Sequence, residues 1–303
     1  MLQLSGDGEY ADVMERALYN GVVSGVSLDG RRFFYENPLA SRGGHHRQEW
    51  FDCACCPPNV ARLIASVGGY CYSLGDDGLW VHLFAQGEGR FEINGREIVM
   101  RQITDYPWAG RVTIKLTLSS PLSFALRLRL PGWCEEWRLS LNGQSVQGSG
   151  NGSVQVMLER GYLRLRREWR ADDEVELSLA MPVRFVHANP NLRQALGRVA
   201  LQRGPLVYCL EGVDHGDAAL DRIVLPPAPR AHWHVEHRAE LLGGATVLRG
   251  AGSLTGDTDW GETLYRFRTP SAQPIEVTAV PYCLWDNRLP GEMRVWLRHA
   301  AAA

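Results

Sequence analysis

Apolar residues recur along this chain with two different periods, and the change from one to the other falls near residue 75. Between Asp7 and Val23, the residues Tyr10, Val13, Met14, Ala17, Leu18 and Val22 lie three and four positions apart. That spacing aligns side chains on one face of a helix, and Asp7 stands where a helix start takes its cap. Arg32–Glu36 reads as a short extended segment, ended by Asn37-Pro38, because the residue before proline is driven out of the helical region. A second helix is predicted from Pro57 or Pro58 to about Tyr72, with Val60, Leu63, Ile64 and Val67 on one side and Gly68-Gly69 weakening its end. Prolines suit its first turn, where no N–H partner is needed.

Beyond Gly75 the period becomes two. Leu79–Phe84, Arg111–Leu118, Phe124–Leu130 and Glu174–Leu179 read as strands, and the Arg111 and Phe124 runs alternate strictly, which predicts one buried and one wet face. Asn94-Gly95, Asn142-Gly143 and Asn151-Gly152 are hairpin turns by composition, since Asn-Gly tolerates the left-handed backbone of the tightest turns. Short strands with turn signals about every ten residues predict a β-sandwich, with a second β unit after about residue 190 and Pro226-Pro227-Ala228-Pro229 as a rigid connector. The fold class is therefore mainly β. Three parts are expected: helical residues 1–75, a β-sandwich over 76–190 and a second β domain over 191–303. Two helices cannot bury their apolar faces against each other alone, so the first part has the character of the end of a larger helical domain.

Composition removes several classes of function. Thirty-two basic against thirty-four acidic residues give a net charge of −2 with no basic stripe, so nucleic acid is not expected as a partner. No stretch approaches eighteen continuous apolar residues and the N-terminus lacks a basic, then apolar, leader, so no membrane span or signal peptide is expected. Seven cysteines, an odd number with four standing alone in apolar or strand-like contexts, fit a reducing compartment, and a cytoplasmic location is expected.

The chemistry concentrates at Cys53-Ala54-Cys55-Cys56-Pro57-Pro58-Asn59. A helix start presents unpaired N–H groups and the positive end of the helix dipole, which favour thiolate and so suit a metal ligand or a nucleophile. A thiolate-rich zinc site takes four ligands, usually as two pairs, and here one pair is plain while no later Cys-x-x-Cys or His-x-x-x-His supplies the other. Cys71 would lie roughly 20 Å away along a regular helix. Nearby donors are Cys53, His45, His46, Glu49 and Asp52. Tyr35-Glu36-Asn37 and Trp50-Phe51 bring aromatic faces with polar tips toward the cysteines, as a sugar pocket or a packed junction would need. His232-Trp233-His234 with His237 reads as a solvated strand face, and Glu135-Glu136 as loop decoration.

Tyr10-Ala11-Asp12, Glu15–Gly21, Trp50–Arg62, Thr104–Trp108, Leu130–Cys134, Gly197–Tyr208 and Gly291–Trp296 together resemble the bacterial β-L-arabinofuranosidases of glycoside hydrolase family 127 over essentially the whole chain. The resemblance implies an (α/α)6 barrel carrying the active site, followed by β-sandwich domains, so residues 1–75 would be a short helical remnant of that barrel. By the same resemblance Cys55 matches the nucleophile, which is also a zinc ligand, Cys56 matches a second zinc ligand, and Tyr35 matches a tyrosine that hydrogen-bonds the sugar. The remaining zinc ligands, from a Glu-x-Cys motif, and a glutamate acid/base belong to the family upstream of Tyr10. No Glu-x-Cys precedes Asp7 here, so the chain is expected to be the C-terminal part of such an enzyme, inactive alone and with an incomplete zinc site. The implied reaction is a retaining double displacement on β-L-arabinofuranosides, with an arabinofuranose-containing oligosaccharide as partner and an upstream chain or a second copy as a possible protein partner.

Two other readings compete. One is a non-catalytic β-sandwich module that binds carbohydrate or a partner chain; the other is a structural zinc site completed by Cys53 with His45 or His46.

Overall fold

A computed structural model describes residues 1–146, 155–216, 218–227, 232–256, 260 and 262–300. The Asn151-Gly152 turn and half of the Pro226–Pro229 connector lie outside them. The chain forms two compact units that interleave in sequence: Met1–Leu18 with Ala61–Pro182, and Tyr19–Val60 with residues 183–303.

The first unit carries two sheets. One has six strands in the order Gly87–Ile93, Arg96–Thr104, Arg111–Leu118, Glu174–Leu179, Trp137–Leu141, Gln144–Ser145. The other has five, ordered Gln155–Glu159, Tyr162–Trp169, Leu122–Arg129, Gly78–Val81, Tyr72–Gly75. Tyr72 of the second sheet packs edge-on against Phe91 of the first, and its hydroxyl accepts from Gln102 Nε2 at 2.7 Å, so the two faces enclose one core. Alternation does its work in Arg111–Leu118, where Val112, Ile114 and Leu116 are fully buried between exposed or half-buried polar neighbours. Both described Asn-Gly turns take the expected left-handed backbone, with φ of 53° and 72° at Asn94-Gly95 and 48° and 77° at Asn142-Gly143.

One strand departs from its pattern. Leu122–Arg129 alternates in sequence, yet Arg127 and Arg129 are buried, because this strand is central in its sheet and both its faces are covered. Arg127 makes two hydrogen bonds to Asp77 at 2.9 and 2.7 Å and lies 4.0 Å over the Trp80 ring. Arg129 meets the helix Gly8–Arg16, which Asp7 caps by accepting from the Glu9 N–H. Gly8 and Gly161 let the helix start approach the Arg160-Gly161 turn: Gly8 N–H donates to Arg160 O at 2.8 Å, and a Cβ on Gly8 would lie 3.1 Å from Gly161 Cα.

The second unit is built on one large sheet. Its circuit runs Leu206–Glu211, Ala272–Pro281, Ala245–Thr255, Ile223–Leu225, Leu297–His299, Arg198–Arg203, and pairing of the last with Leu206–Glu211 closes it into a ring. Residues 19–60 contribute to its core rather than forming a helical domain of their own. Phe34 stacks on Trp285 with centroids 4.9 Å apart, beside buried Tyr282, Val280 and Met293. Asn20 closes the other side, donating to Pro205 O at 2.9 Å and accepting from Val207 N–H at 2.8 Å.

Candidate functional site

The cysteine segment leads into a helix, Cys56–Ser66, that begins one residue before Pro57. Both prolines fall in the first turn, and Asn59 secures it, donating its backbone N–H and its side-chain Nδ2 to Cys55 O at 3.4 and 3.0 Å. This is the physical sense of the Cys-Cys-Pro-Pro-Asn run: the prolines leave no N–H to satisfy and the asparagine occupies the carbonyl that opens the helix. Cys53 and Cys55 are exposed and Cys56 is half-buried.

Tyr35 joins the thiols. Its ring, 42% exposed, packs against Phe51 with centroids 5.4 Å apart, and its hydroxyl lies near Cys53. Interaction with Cys53 first, and then the negative charge that Cys53, Cys55 and Cys56 bring when ionised, pushes the phenol up to about 12. Cys56 is pushed up as well, first by burial and then by its hydrogen bond with Cys55 and the charges of Cys55 and Cys53. The helix-start argument favours thiolate there, but burial, with the neighbouring thiols adding to it, outweighs it at Cys56.

The histidines near it in sequence are engaged elsewhere. His45 stacks on Phe34 with centroids 5.1 Å apart and its Nε2 contacts Glu36 O at 3.1 Å. His46 Nδ1 donates to Asp286 Oδ1 at 2.7 Å. Among the described residues no three His, Cys, Asp or Glu side chains are grouped to hold a metal ion, so the thiols present do not by themselves make up a zinc centre. His234 lies on the strand Trp233–Arg238 opposite Arg249, on a charged outer face with Glu236.

Two clusters were not legible locally. Arg47, buried within the second unit, donates to Ser24 O at 3.1 and 2.8 Å and to Trp285 O at 2.5 Å, and lies 4.2 Å over the Phe34 ring. Burial pulls its guanidinium down to about 10, against the pull of Asp286. Asp286, held at φ 58°, accepts the Arg47 N–H at 2.7 Å and so fixes the chain just ahead of the cysteine segment. In the first unit, His82 contacts Tyr162 Oη at 2.7 Å and Ser73 Oγ at 2.8 Å, and burial, with Arg129 nearby, pulls it down to about 4. No sequence motif marks either, because each depends on partners distant along the chain.

Three sequence models of glycoside hydrolase family 127 match successive parts of the chain. They are the β-L-arabinofuranosidase catalytic domain over residues 1–69, the middle domain over 78–181 and the C-terminal domain over 183–298. The non-reducing end β-L-arabinofuranosidase of Bifidobacterium longum subsp. longum is 37% identical, over 98% of this chain and 46% of its own length. Among solved structures, a family 127 β-L-arabinofuranosidase from Geobacillus stearothermophilus T6 superposes with a TM-score of 0.91 at 43% identity, covering 99% of this chain and 48% of that one. A second family 127 β-arabinofuranosidase gives 0.88 at 35% identity, covering 99% and 47%. The chain thus spans about half the length of the relatives it matches. Domain order, sequence identity and fold agree over nearly every residue, and the chain belongs to glycoside hydrolase family 127.

Proposed function

We propose that this chain carries the nucleophile side of a retaining β-L-arabinofuranosidase active site. The observation that carries this reading is the exposed Cys55 thiol at a helix start, beside Cys56 and Tyr35, within the segment that matches the family's catalytic domain. The Cys55 sulfur attacks the anomeric carbon of a β-L-arabinofuranoside. The bond to the leaving oxygen breaks, and that oxygen takes a proton from an acid. Water then attacks the same carbon from the opposite side, loses a proton, and releases the Cys55 sulfur, so that two inversions leave the configuration retained. Tyr35, near Cys53 with its ring on Phe51, is proposed to hydrogen-bond the sugar.

Cys55 and Cys56 are proposed as two ligands of a zinc ion whose other ligands, like the acid/base, come from residues outside this chain. The isolated chain is accordingly proposed to be inactive or nearly so. Two measurements test this. A chromogenic β-L-arabinofuranoside should give turnover at background; robust turnover abolished by Cys55→Ser overturns the requirement for outside residues. An L-arabinofuranose bearing an electrophilic epoxide, followed by peptide mass mapping, should label Cys55 ahead of Cys53 and Cys56; preferential labelling at either of those overturns its role as nucleophile.

A further inference from the structure

His187 and His299 face each other in the second unit, with ring centroids 5.5 Å apart and planes at 79°. They end the strands Val183–His187 and Leu297–His299, which lie on either side of Arg198–Arg203. Register brings them together. His187 stands across from Val199, and Val199 across from Leu297, so these three share one face of the sheet, and His299 follows Leu297 on that face. Val199 and Leu297 are buried, whereas His187 is exposed and His299 half-buried, so the pair closes an apolar row where it reaches solvent.

Both imidazoles have a nitrogen to offer. His299 Nδ1 lies 2.9 Å from Ala300 O, and a carbonyl oxygen can only accept, so Nδ1 carries the proton and Nε2 keeps its lone pair. Among the described residues His187 makes no hydrogen bond, which leaves its exposed ring free to turn a nitrogen toward His299. Two imidazoles sharing one tetrahedral ion, each nitrogen about 2.0 Å from it, have centroids about 5 Å apart, so a small rotation of His187 from the observed 5.5 Å suffices. The arginines of these strands do not oppose a cation there: Arg198 and Arg298 pair across from each other on the opposite face, where Arg198 meets Asp221. His232 and His234 also share a strand face, but Arg249 stands directly across from His234, and a metal ion there would meet a guanidinium.

We propose that His187 and His299 form a binding site for a divalent transition-metal ion, with water at its remaining positions, separate from the Cys55 site and independent of the reading given for it. Imidazole nitrogen suits Zn2+, Cu2+ and Ni2+, and two such ligands beside open positions fit exchangeable occupancy rather than a closed structural centre. A bound ion ties the edge strand Val183–His187 to Leu297–His299 across the strand between them, joining the two ends of the second unit's long C-terminal run.

Titration of the 303-residue chain with Zn2+, after alkylation of its accessible thiols, tests the inference by heat and by the imidazole C–H resonances. Saturable binding is expected, with the His187 and His299 resonances shifting together and the thermal midpoint rising with Zn2+. His187→Ala and His299→Ala should each weaken binding about tenfold or more and abolish that rise. Should His299→Ala fail to fold, His187→Gln at an exposed position provides the same readout. Absence of binding, binding unaffected by these substitutions, or shifts at His232 and His234 in place of His187 and His299 overturns the proposal. With the thiols blocked, the outcome is separate from that of Cys55 labelling, so either reading can fail without the other.

Discussion

Glu15 and Arg129, separated by 114 positions, form an ion pair in which the Glu15 residue is 1% exposed and the Arg129 residue 0%. Around it, Tyr106 Oη donates to Glu15 at 2.5 Å, Trp133 Nε1 donates to Glu15 at 3.1 Å, and Arg129 reaches Asp12 at 2.6 Å and His82 O at 2.6 Å. Three of the sequence segments that resemble family 127, those around Glu15, Tyr106 and Trp133, therefore meet at one buried carboxylate. Their shared role is to seat the Gly8–Arg16 helix.

Removing either partner leaves a buried charge without its closest counter-charge. Glu15→Gln or Arg129→Met should destabilise the first unit by roughly 3–5 kcal/mol, while replacing both with apolar residues should cost less than the sum of the two. Urea midpoints of the single and double variants check this; additive losses would remove the pair from the account.

His82 gives the stability a pH dependence. Its folded pKa, near 4, lies below the ordinary value of 6.5, so the unfolded chain binds more protons between those limits. The contribution is fully present above about pH 6.5 and is lost as pH falls through the window down to about 4, roughly 3 kcal/mol in all. Urea midpoints measured across that range should fall more steeply in the unaltered chain than in His82→Gln.

Asp286 holds a left-handed backbone while its carboxylate carries His46 and the Arg47 N–H. Asp286→Asn keeps a side chain that tolerates this backbone, Asp286→Gly relieves the backbone but loses the acceptor, and Asp286→Ala loses both. Alanine should therefore be the least stable of the three, below glycine by about 1 kcal/mol, as thermal midpoints would show.

Thiol reactivity should sort the cysteines by place. Cys53 and Cys55 are exposed, whereas Cys209 and Cys283 are buried and pushed up by that burial, Cys283 to about 12. Iodoacetamide at neutral pH should modify the first two before the last two, as peptide mass mapping would show, and early alkylation of Cys209 would contradict the described core.

Local pattern determined much of this protein. Period-two runs, Asn-Gly turns and the Asp7 cap specified strands, hairpins and a helix, because each depends on neighbours a few residues away. The Cys55-Cys56-Pro57-Pro58-Asn59 helix start was legible for the same reason. Tertiary structure alone decided that Arg127 and Arg129 go inside, that Tyr35 lies near Cys53, that His45 contacts Glu36 O and His46 Asp286, and that residues 19–60 pack with the C-terminal unit rather than with the strands that follow them. Burying a charge or orienting a thiol depends on a partner supplied by a distant segment, and alternation along one strand carries no information about what covers its second face.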